Sequence, residues 1–600
     1  MFAAVYVPRL ANPLWSDVEF TGWVSPIAHR MVEGQRIYRD FTLPIPPASF
    51  ALLAAVQMLL HRFALLDELW VCAISQMIML AAAWLLVRTF STARNATLVV
   101  IATSPVLIAT PKEIAYDQTA LAVAWIGLAV LAKALTVPER RKRLGWLASA
   151  GLAAAVVVAF KSSTGIGALG GLGLAMIAVS AIAWKREGRG ALRRLGQDWA
   201  AVAGGVAAGL VLTVLLVAAL GGSVPEFYRV VFVDGPELKG GRSQAIFNLL
   251  SYTILQTPTH VSLLSALVVG WVLVRVIRQR GALEVPTEIA PDRAERGVPG
   301  LVFAIAAGGW TVMIFGLGAL LLLGNAPSIP LALQVGAGFG GALPMLGLML
   351  LVFYLLGNLR AAQPGADRRG AFAAVTVAAG FISLAHNLSD PTHRPFYDNN
   401  PIIPLAIFSL LLAFDQSRLA LLKAASVGLM VMALFGGKFQ RYLDARYPVG
   451  PSGFWQGLSV SANGQVLLRA AAHVRDLAGP HGTVLMLPED PMFEALVGRP
   501  RPRLKGAIVF VDQFPQRLLA SDLATLESSP PDVVIEHPRE AAAWHTVYAI
   551  WNLNCAAAKL QNEFTSRVLE PGYRVESTFD TWMFRGPGLM DVYVRKNQAP

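Results

Sequence analysis

The sequence predicts a polytopic α-helical membrane protein that ends in a polar α/β domain. Of its 600 residues, 55% are hydrophobic and only 15% are charged, whereas about 25% of the residues of a soluble globular protein are charged. The hydrophobic residues form repeated runs of about 17–25 residues, the length at which a helix crosses a bilayer. Residues 438–600 contain no such run and instead mix strand-like with helix-like patterns.

About twelve apolar runs are candidate membrane spans. They cover residues 68–90, 96–111, 117–135, 146–161, 164–184, 198–221, 259–277, 300–324, 332–356, 371–387, 402–415 and 419–437. Every second connection is rich in Lys and Arg, namely 87–95, 138–143, 185–198, 275–297, 358–370 and 415–423. The positive-inside rule predicts that these connections face the cytoplasm. The other connections and the C-terminal region then face the periplasm of a bacterial inner membrane. The basic loops also account for the net charge of +12, so no nucleic-acid partner is expected.

One apolar stretch, residues 46–66, breaks this alternation. If it crossed the membrane, the basic connection at 87–95 would lie on the outer side, against the positive-inside rule. The sequence therefore favours a helix that lies at the outer membrane interface, with a true span as the alternative.

Three regions follow from these patterns. Residues 1–67 are predicted to form a first periplasmic loop with juxtamembrane helices, residues 68–437 a transmembrane domain, and residues 438–600 a periplasmic soluble α/β domain. The last region contains the helix-like segments "GQVLLRAAAHVRDLA" and "FPQRLLASDLATLESS" and the strand-like segments "TVLMLP", "AIVFVD" and "DVVIEHP". Such alternation is typical of an α/β domain, and the region is long enough to bury its own core.

The opening region carries a distinctive motif. An acidic pair, Asp17 and Glu19 in "WSDVEF", is followed by "EGQRIYRDF" at residues 33–41 and by the pair Pro46-Pro47. This order resembles the first outer loop of the GT-C glycosyltransferases, polytopic enzymes that use polyprenyl-phosphate sugars. The resemblance extends to the next outer connection, where Asp117 matches a carboxylate that the family carries just before a span. It implies a GT-C-like membrane fold with a periplasmic C-terminal domain.

The start of the chain departs from this family. Members have a complete first helix before the acidic pair, but the residues before Asp17 are too few to span about 30 Å of hydrocarbon. The first family helix is therefore apparently missing, through a start codon upstream of Met1 or through loss of the helix. With that helix restored, the total of about thirteen spans resembles the aminoarabinose-transferase branch.

A sugar transfer from a lipid phosphate needs a general base for the acceptor hydroxyl, and a carboxylate at the membrane–water boundary can act as one. Asp17 is the expected catalytic base and Glu19 the second choice, with helix capping or simple solvation as the alternative for both. Asp117 is expected to hold the acceptor, to orient the base or to contact a metal ion, with a helix N-cap as the alternative. Asp40 is a supporting candidate.

The departing phosphate needs positive charge, and cations of the outer connections can supply it. The candidates are Lys112, Lys161, His393 and Arg394, with Tyr397 as a supporting residue. Burial of Lys161 at a helix end would be costly without an anionic partner. Snorkelling of the side chain to the interface is the alternative for Lys161 and Arg394.

The sequence leaves a divalent metal cofactor undecided. Some GT-C members carry a metal-binding Glu and a phosphate-binding Lys just before the Pro-Pro pair, whereas this chain has "LPIPP" at residues 43–47. His386 and His393 are candidate ligands together with Asp17 or Asp117, but no ligand spacing supports that set.

The combined patterns predict a glycosyltransferase that moves a sugar from a polyprenyl-phosphate donor to an acceptor hydroxyl on the periplasmic face. Inversion at the sugar is implied by the resemblance alone. The partners are the lipid-linked donor, the bilayer, and an acceptor that is a glycolipid, a polysaccharide or a protein. A lipid or glycan transporter or flippase is the main alternative, because such proteins are also polytopic. A non-catalytic scaffold would leave the opening motif unexplained.

Overall fold

The computed structural model describes residues 23–109, 115–238, 366–387, 401, 404–405, 447–460, 462–509, 514–537, 556–583 and 586–596. Five of the helices in these ranges are long and apolar enough to cross a membrane. The predicted spans at 259–277, 300–324, 332–356 and 419–437 and almost all of 402–415 lie outside the described residues. The total of about twelve spans therefore stays a prediction.

The helices up to residue 387 follow the apolar runs of the sequence. They are α1 (Val24–Val32), α2 (Ala48–Leu60), α3 (Leu65–Phe90), α4 (Ala93–Ala109), α5 (Ala115–Thr136), α6 (Arg140–Phe160), α7 (Ser162–Glu187), α8 (Leu192–Ala219), α9 (Val224–Arg229) and α10 (Ala366–Asn387). A 3₁₀ turn at Gly188–Ala191 joins α7 to α8, and α9 continues as a π-helical turn at Val230–Asp234. The predicted spans between residues 68 and 221 are thus helical where they are described.

Helix α2 is too short to be a span. Its 13 residues correspond to about 20 Å, against about 30 Å of hydrocarbon. On its buried side, the Gln57 amide donates to the carbonyl oxygen of Ser25 at 3.1 Å and to the Ser25 hydroxyl at 2.9 Å. On the other side, Leu52, Met58 and Leu59 are exposed. The length of α2 therefore disfavours a span, and its position at the membrane interface stays a prediction.

Helices α7 and α10 pack backbone against backbone through glycines of α7. A Cβ atom built at Gly171 would lie 2.7 Å from the carbonyl oxygen of Ala378, and one at Gly167 would lie 2.6 Å from the Cβ atom of Ala385. Small residues at such contacts allow close approach and extensive van der Waals packing, which is the main attraction between helices in a membrane.

We expect Gly171→Leu to separate α7 from α10 and to destabilise the protein by about 1–3 kcal/mol, as overpacking does. Gly173→Leu is the matched control, because a Cβ atom there meets no atom within 4 Å. The thermal unfolding midpoints of the two variants in detergent should differ, with Gly173→Leu at or slightly above the wild-type value because leucine favours helix more than glycine does. Equal midpoints for the two variants would contradict the close packing.

The C-terminal part is built around a four-stranded mixed sheet with the strand order β3-β4-β6-β5. Its elements are β1 (Tyr447–Pro448), β2 (Ser459–Val460), α11 (Ala462–Ala478), β3 (Val484–Leu487), α12 (Pro491–Val497), α13 (Leu519–Ser528), β4 (Val533–Glu536), α14 (Ala556–Phe564), β5 (Tyr573–Met583) and β6 (Gly586–Arg595). Strands β3 and β4 are parallel, and β6 is antiparallel to both β4 and β5. The predicted strands "TVLMLP" and "DVVIEHP" correspond to β3 and β4.

The segment "AIVFVD" is not a strand over its described residues 507–509, so that prediction is wrong there. Instead, the backbone N–H of Ala507 donates to the carbonyl oxygen of Thr42 at 2.9 Å. The N–H of Val509 donates to the carboxylate of Glu489 at 2.5 Å. These partners replace the ladder hydrogen bonds that a strand would need.

Residues 23–67, which we call the first outer segment because the sequence predicts that they face the periplasm, share one hydrophobic core with the C-terminal part. Trp23, Ile27 and Phe41 belong to the same cluster of buried side chains as Phe493 and Ile535. The domain boundaries at 67 and 438 stay a prediction, but the chain between residues 23 and 60 packs with the C-terminal sheet.

Besides the hydrogen bond from Ala507 to Thr42, two backbone contacts fix the outer segment against the C-terminal part. The N–H of Thr42 donates to the carbonyl oxygen of Lys505 at 2.7 Å, and the N–H of Leu65 donates to that of Phe454 at 2.8 Å. The connection after α8 joins the same assembly, because Arg517 contacts both Glu226 and Asp234. The first segment, this connection and the C-terminal part therefore lie at one end of the helices, as the predicted alternation requires.

Candidate functional site

The structure describes three of the predicted site residues, Asp40, Asp117 and Lys161. The other candidates, Asp17, Glu19, Lys112, His393, Arg394 and Tyr397, lie outside the described residues, and their roles stay predictions.

Asp117 and Lys161 form a buried ion pair. Asp117 lies in the first turn of α5, and Lys161 is the residue between α6 and α7. The Nζ atom of Lys161 is 2.6 Å from Oδ1 of Asp117, and the two residues are only 8% and 3% exposed. The ammonium also lies 5.5 Å from the centre of the Tyr116 ring, a favourable distance for a cation over an aromatic face.

This pair describes the surroundings of both residues, and their functional roles stay predictions. The Lys161 side chain does not reach solvent. Its ammonium is buried and contacts the carboxylate of Asp117, and a buried charge needs such a partner of opposite charge. Asp117 is the third residue of α5 rather than its N-cap. Both charges therefore lie at the ends of long apolar helices.

A second buried polar contact lies close by in the chain. Thr164, three residues after Lys161, has its hydroxyl 2.6 Å from Nδ1 of His386 at the end of α10. Both side chains are buried. The contact ties α10 to the beginning of α7 and so to the backbone that carries Lys161.

Polar side chains continue along the neighbouring helices. The amide of Gln76 donates to Oε1 of Gln118 at 3.3 Å, and the hydroxyls of Ser49 and Thr119 are 2.7 Å apart. The carboxylate of Glu68 accepts the backbone N–H of Ser25 at 2.8 Å. These residues were not predicted, although polar residues within apolar runs are a signal that could have found them.

Asp40 has a local role in the structure. Its carboxylate accepts the backbone N–H of Arg36 at 2.7 Å and closes the turn that contains Tyr38, whose φ of 62° lies in the left-handed region. Asp40 is exposed, and its polar contacts within the described residues all belong to this turn. The structure therefore does not bring Asp40 into contact with Asp117 or Lys161.

The described residues include no group of three His, Cys, Asp or Glu side chains placed to hold a metal ion. Of the candidate ligands, Asp117 contacts Lys161 and His386 contacts Thr164. Asp17 and His393 fall outside the described ranges, so the metal question stays as the sequence leaves it.

A cluster of charged groups lies where α1 meets the C-terminal sheet. Arg501 forms an ion pair with the buried carboxylate of Glu489 at 2.5 Å. Arg30 of α1 donates to the carbonyl oxygen of Ala507 at 3.3 Å, and its guanidinium lies 4.1 Å from the centre of the Phe41 ring. Burial, with repulsion from Arg501, lowers the pKa of Arg30 to about 9. No sequence pattern predicted this cluster.

Two further carboxyl groups belong to this cluster. Burial raises the pKa of Asp490 to about 7, although its carboxylate accepts the backbone N–H groups of Met492 and Phe493 at the start of α12. Burial and the neighbouring Glu489 raise the pKa of Glu494 well above its usual range. These two carboxyl groups therefore lose their protons at a higher pH than ordinary carboxyl groups do.

No family model matches the chain, and no curated protein matches it. Two solved structures are similar to it over nearly their whole length. The crystal structure of ArnT from Cupriavidus metallidurans bound to undecaprenyl phosphate has a TM-score of 0.46 and 14% sequence identity, covering 100% of this chain and 98% of that one. The structure of the same protein in the apo state has a TM-score of 0.44 and 15% identity, covering 98% and 96%. Likeness at this level does not assign a reaction or a ligand to this chain.

Proposed function

We propose that this chain is a membrane glycosyltransferase that moves a sugar from a polyprenyl-phosphate donor to an acceptor hydroxyl at the outer face of the bacterial inner membrane. The observation that carries the proposal is the buried pair of Asp117 and Lys161 at the helix ends. These ends lie at the side where the first outer segment meets the C-terminal part. The resemblance of the opening motif supplies the reaction class.

In the proposed reaction, the carboxylate of Asp17 takes the proton of the acceptor hydroxyl, with Glu19 as the second candidate. The hydroxyl oxygen forms a bond to the anomeric carbon of the sugar while the bond from that carbon to the phosphate oxygen breaks. The electron pair of the broken bond leaves with polyprenyl phosphate, and the sugar inverts. General-base catalysis of this kind contributes roughly 10²–10⁴-fold to the rate.

The charge that develops on the departing phosphate needs a fixed cation. Lys161 is the described candidate, because its ammonium is buried against Asp117 at the end of α6. We propose that Asp117 holds and orients the ammonium of Lys161. Lys112, His393 and Arg394 are further candidates for the phosphate, and Tyr397 and Asp40 for supporting roles.

The transporter alternative is less well supported by the described helices. Transporters place ionisable groups near the middle of the bilayer. The buried ion pairs described for the helices lie at their ends instead, Lys161 with Asp117 at one end and Arg143 with Asp198 at the other. This arrangement fits a reaction at the membrane boundary better than passage of a polar substrate across it.

We expect Asp17→Asn to reduce sugar transfer by at least about a hundredfold while the protein stays folded, because the amide cannot accept the proton. The measurement is release of polyprenyl phosphate in liposomes that contain the purified full-length protein and a panel of radiolabelled polyprenyl-phosphate sugars. Asp476→Asn, which changes an exposed carboxylate of α11, is the matched control and should keep the wild-type activity. Wild-type turnover by Asp17→Asn would reject the base. Movement of intact donor across the liposome, without cleavage, would favour the transporter.

A further inference from the structure

The helix ends opposite to Lys161 form a separate surface. Helix α6 runs from Arg140 to Phe160, next to Lys161, and its 21 residues correspond to about 30 Å. The end of α7, the 3₁₀ turn at Gly188–Ala191 and the beginning of α8 lie at the same end as Arg140. The surface is therefore separated from the candidate reaction site by the thickness of the apolar region.

Carboxylates of these helix ends are already paired with cations of the same ends. Three such contacts are present, Glu139 with Lys142 at 2.9 Å, Glu187 with Arg194 at 2.8 Å, and Asp198 with Arg143. The last two contacts link α8 to the end of α7 and to the beginning of α6.

Among the side chains that the structure describes at the ends of α6, α7 and α8, four arginines remain outside these pairs. Arg140, Arg141, Arg189 and Arg193 are exposed and take part in no ion pair with the residues that the structure describes. We call these four residues the basic collar. Their guanidinium groups are open to the surroundings of the protein, because the neighbouring carboxylates already form ion pairs with other cations.

Tryptophans flank the basic collar. Trp146 on α6, Trp184 on α7 and Trp199 on α8 are 38%, 48% and 36% exposed. The indole N–H of Trp199 donates to the hydroxyl of Ser180 at 3.1 Å, which fixes its ring across α7 and α8. Exposed tryptophans at the ends of apolar helices mark the level of the lipid headgroups.

We propose that the basic collar binds the phosphate headgroups of anionic phospholipids in the membrane leaflet opposite to the candidate reaction site. The inference rests on membrane insertion of these helices and not on the proposed sugar transfer. Exposed guanidiniums complement headgroup phosphates with bidentate hydrogen bonds. The tryptophans and the exposed Leu192 lie beside the collar, so the occupant carries acyl chains as well as a phosphate.

The test is native mass spectrometry of the purified full-length protein in detergent, titrated with phosphatidylglycerol, with phosphatidylcholine and with inorganic phosphate. We expect phosphatidylglycerol to bind more tightly than phosphatidylcholine, and inorganic phosphate not to compete at equal concentration. Each arginine near a lipid surface contributes about a fivefold change in affinity. The variant R189Q/R193Q should therefore bind phosphatidylglycerol roughly 25-fold more weakly and phosphatidylcholine unchanged.

The matched control is R39Q/R229Q, which removes two exposed arginines from the opposite end. This variant should bind phosphatidylglycerol as the wild type does, and thermal unfolding should show that both double variants are folded. Equal affinity for the two lipids, equal weakening by the two double variants, or tight binding of inorganic phosphate alone would each overturn the proposal.

Discussion

Replacing Lys161 by methionine is expected to lower the free energy of unfolding by about 3–5 kcal/mol, because the carboxylate of Asp117 would remain buried without the ammonium that it contacts. Sugar transfer should fall by roughly 10²–10³-fold, because the variant lacks the fixed positive charge beside the phosphate on which negative charge develops. Thermal unfolding in detergent measures the first effect, and release of polyprenyl phosphate measures the second.

The double variant D117L/K161M separates stability from catalysis. Replacing a buried ion pair by apolar residues of similar volume is often neutral or stabilising, so we expect near wild-type stability. Activity should stay lost. If the double variant transfers sugar at the wild-type rate, the pair only supports the fold, and the phosphate must be bound elsewhere. If K161M alone is as stable as the wild type, the ion pair is not buried as described.

The free energy of unfolding is expected to fall as the pH rises from about 4 to about 7, in part because of Asp490. Its pKa is about 7 in the folded protein, against a usual value of 3.8. Between these two pKa values, Asp490 is protonated in the folded protein and ionised in the unfolded chain. The stability that this proton contributes is complete below the unfolded pKa and is lost as the pH rises to the folded pKa. At about 1.4 kcal/mol per pH unit, the loss is about 4 kcal/mol.

Asp490→Asn tests this dependence because asparagine also caps helices well but does not titrate. The variant should show a smaller fall in its unfolding midpoint between pH 4.5 and pH 7 than the wild type. Asp476→Asn, which changes an exposed carboxylate of α11, should follow the wild-type curve. Part of the fall should remain in Asp490→Asn, because burial also raises the pKa of Glu489 and Glu494. Identical slopes for Asp490→Asn and the wild type would contradict the assignment to Asp490.

The apolar runs predicted the helices well because twenty or so consecutive apolar residues leave few alternatives in a membrane. Strands β3 and β4 were found for a similar reason, since each is a short apolar run bounded by turn residues. The hairpin β5–β6 was missed. Much of β5 is exposed and its sequence, "YRVESTFDTWM", is too polar to show a buried face.

The candidate site was only partly accessible from the sequence. Asp117 and Lys161 could each be proposed from topology and residue type, but their contact depends on how α5 packs beside the junction of α6 and α7. No local pattern encodes the approach of Arg30 to the C-terminal sheet, because its carbonyl partner on Ala507 is 477 residues away in the chain. Periodicity reports which face of a helix is buried, and it does not report which distant residue covers that face.

The pairing of Thr42 with Lys505, 463 residues later, also sets an order of assembly during synthesis. A ribosome that adds about 5–20 residues per second needs roughly 20–90 s to cover that distance. The first outer segment is therefore synthesised long before its backbone partners exist, and during that time its apolar side chains lack the C-terminal core. A nascent chain that stopped before residue 447 could insert its membrane helices and still leave this segment unfinished. Folding of the first segment is thus completed only when the last domain has been synthesised.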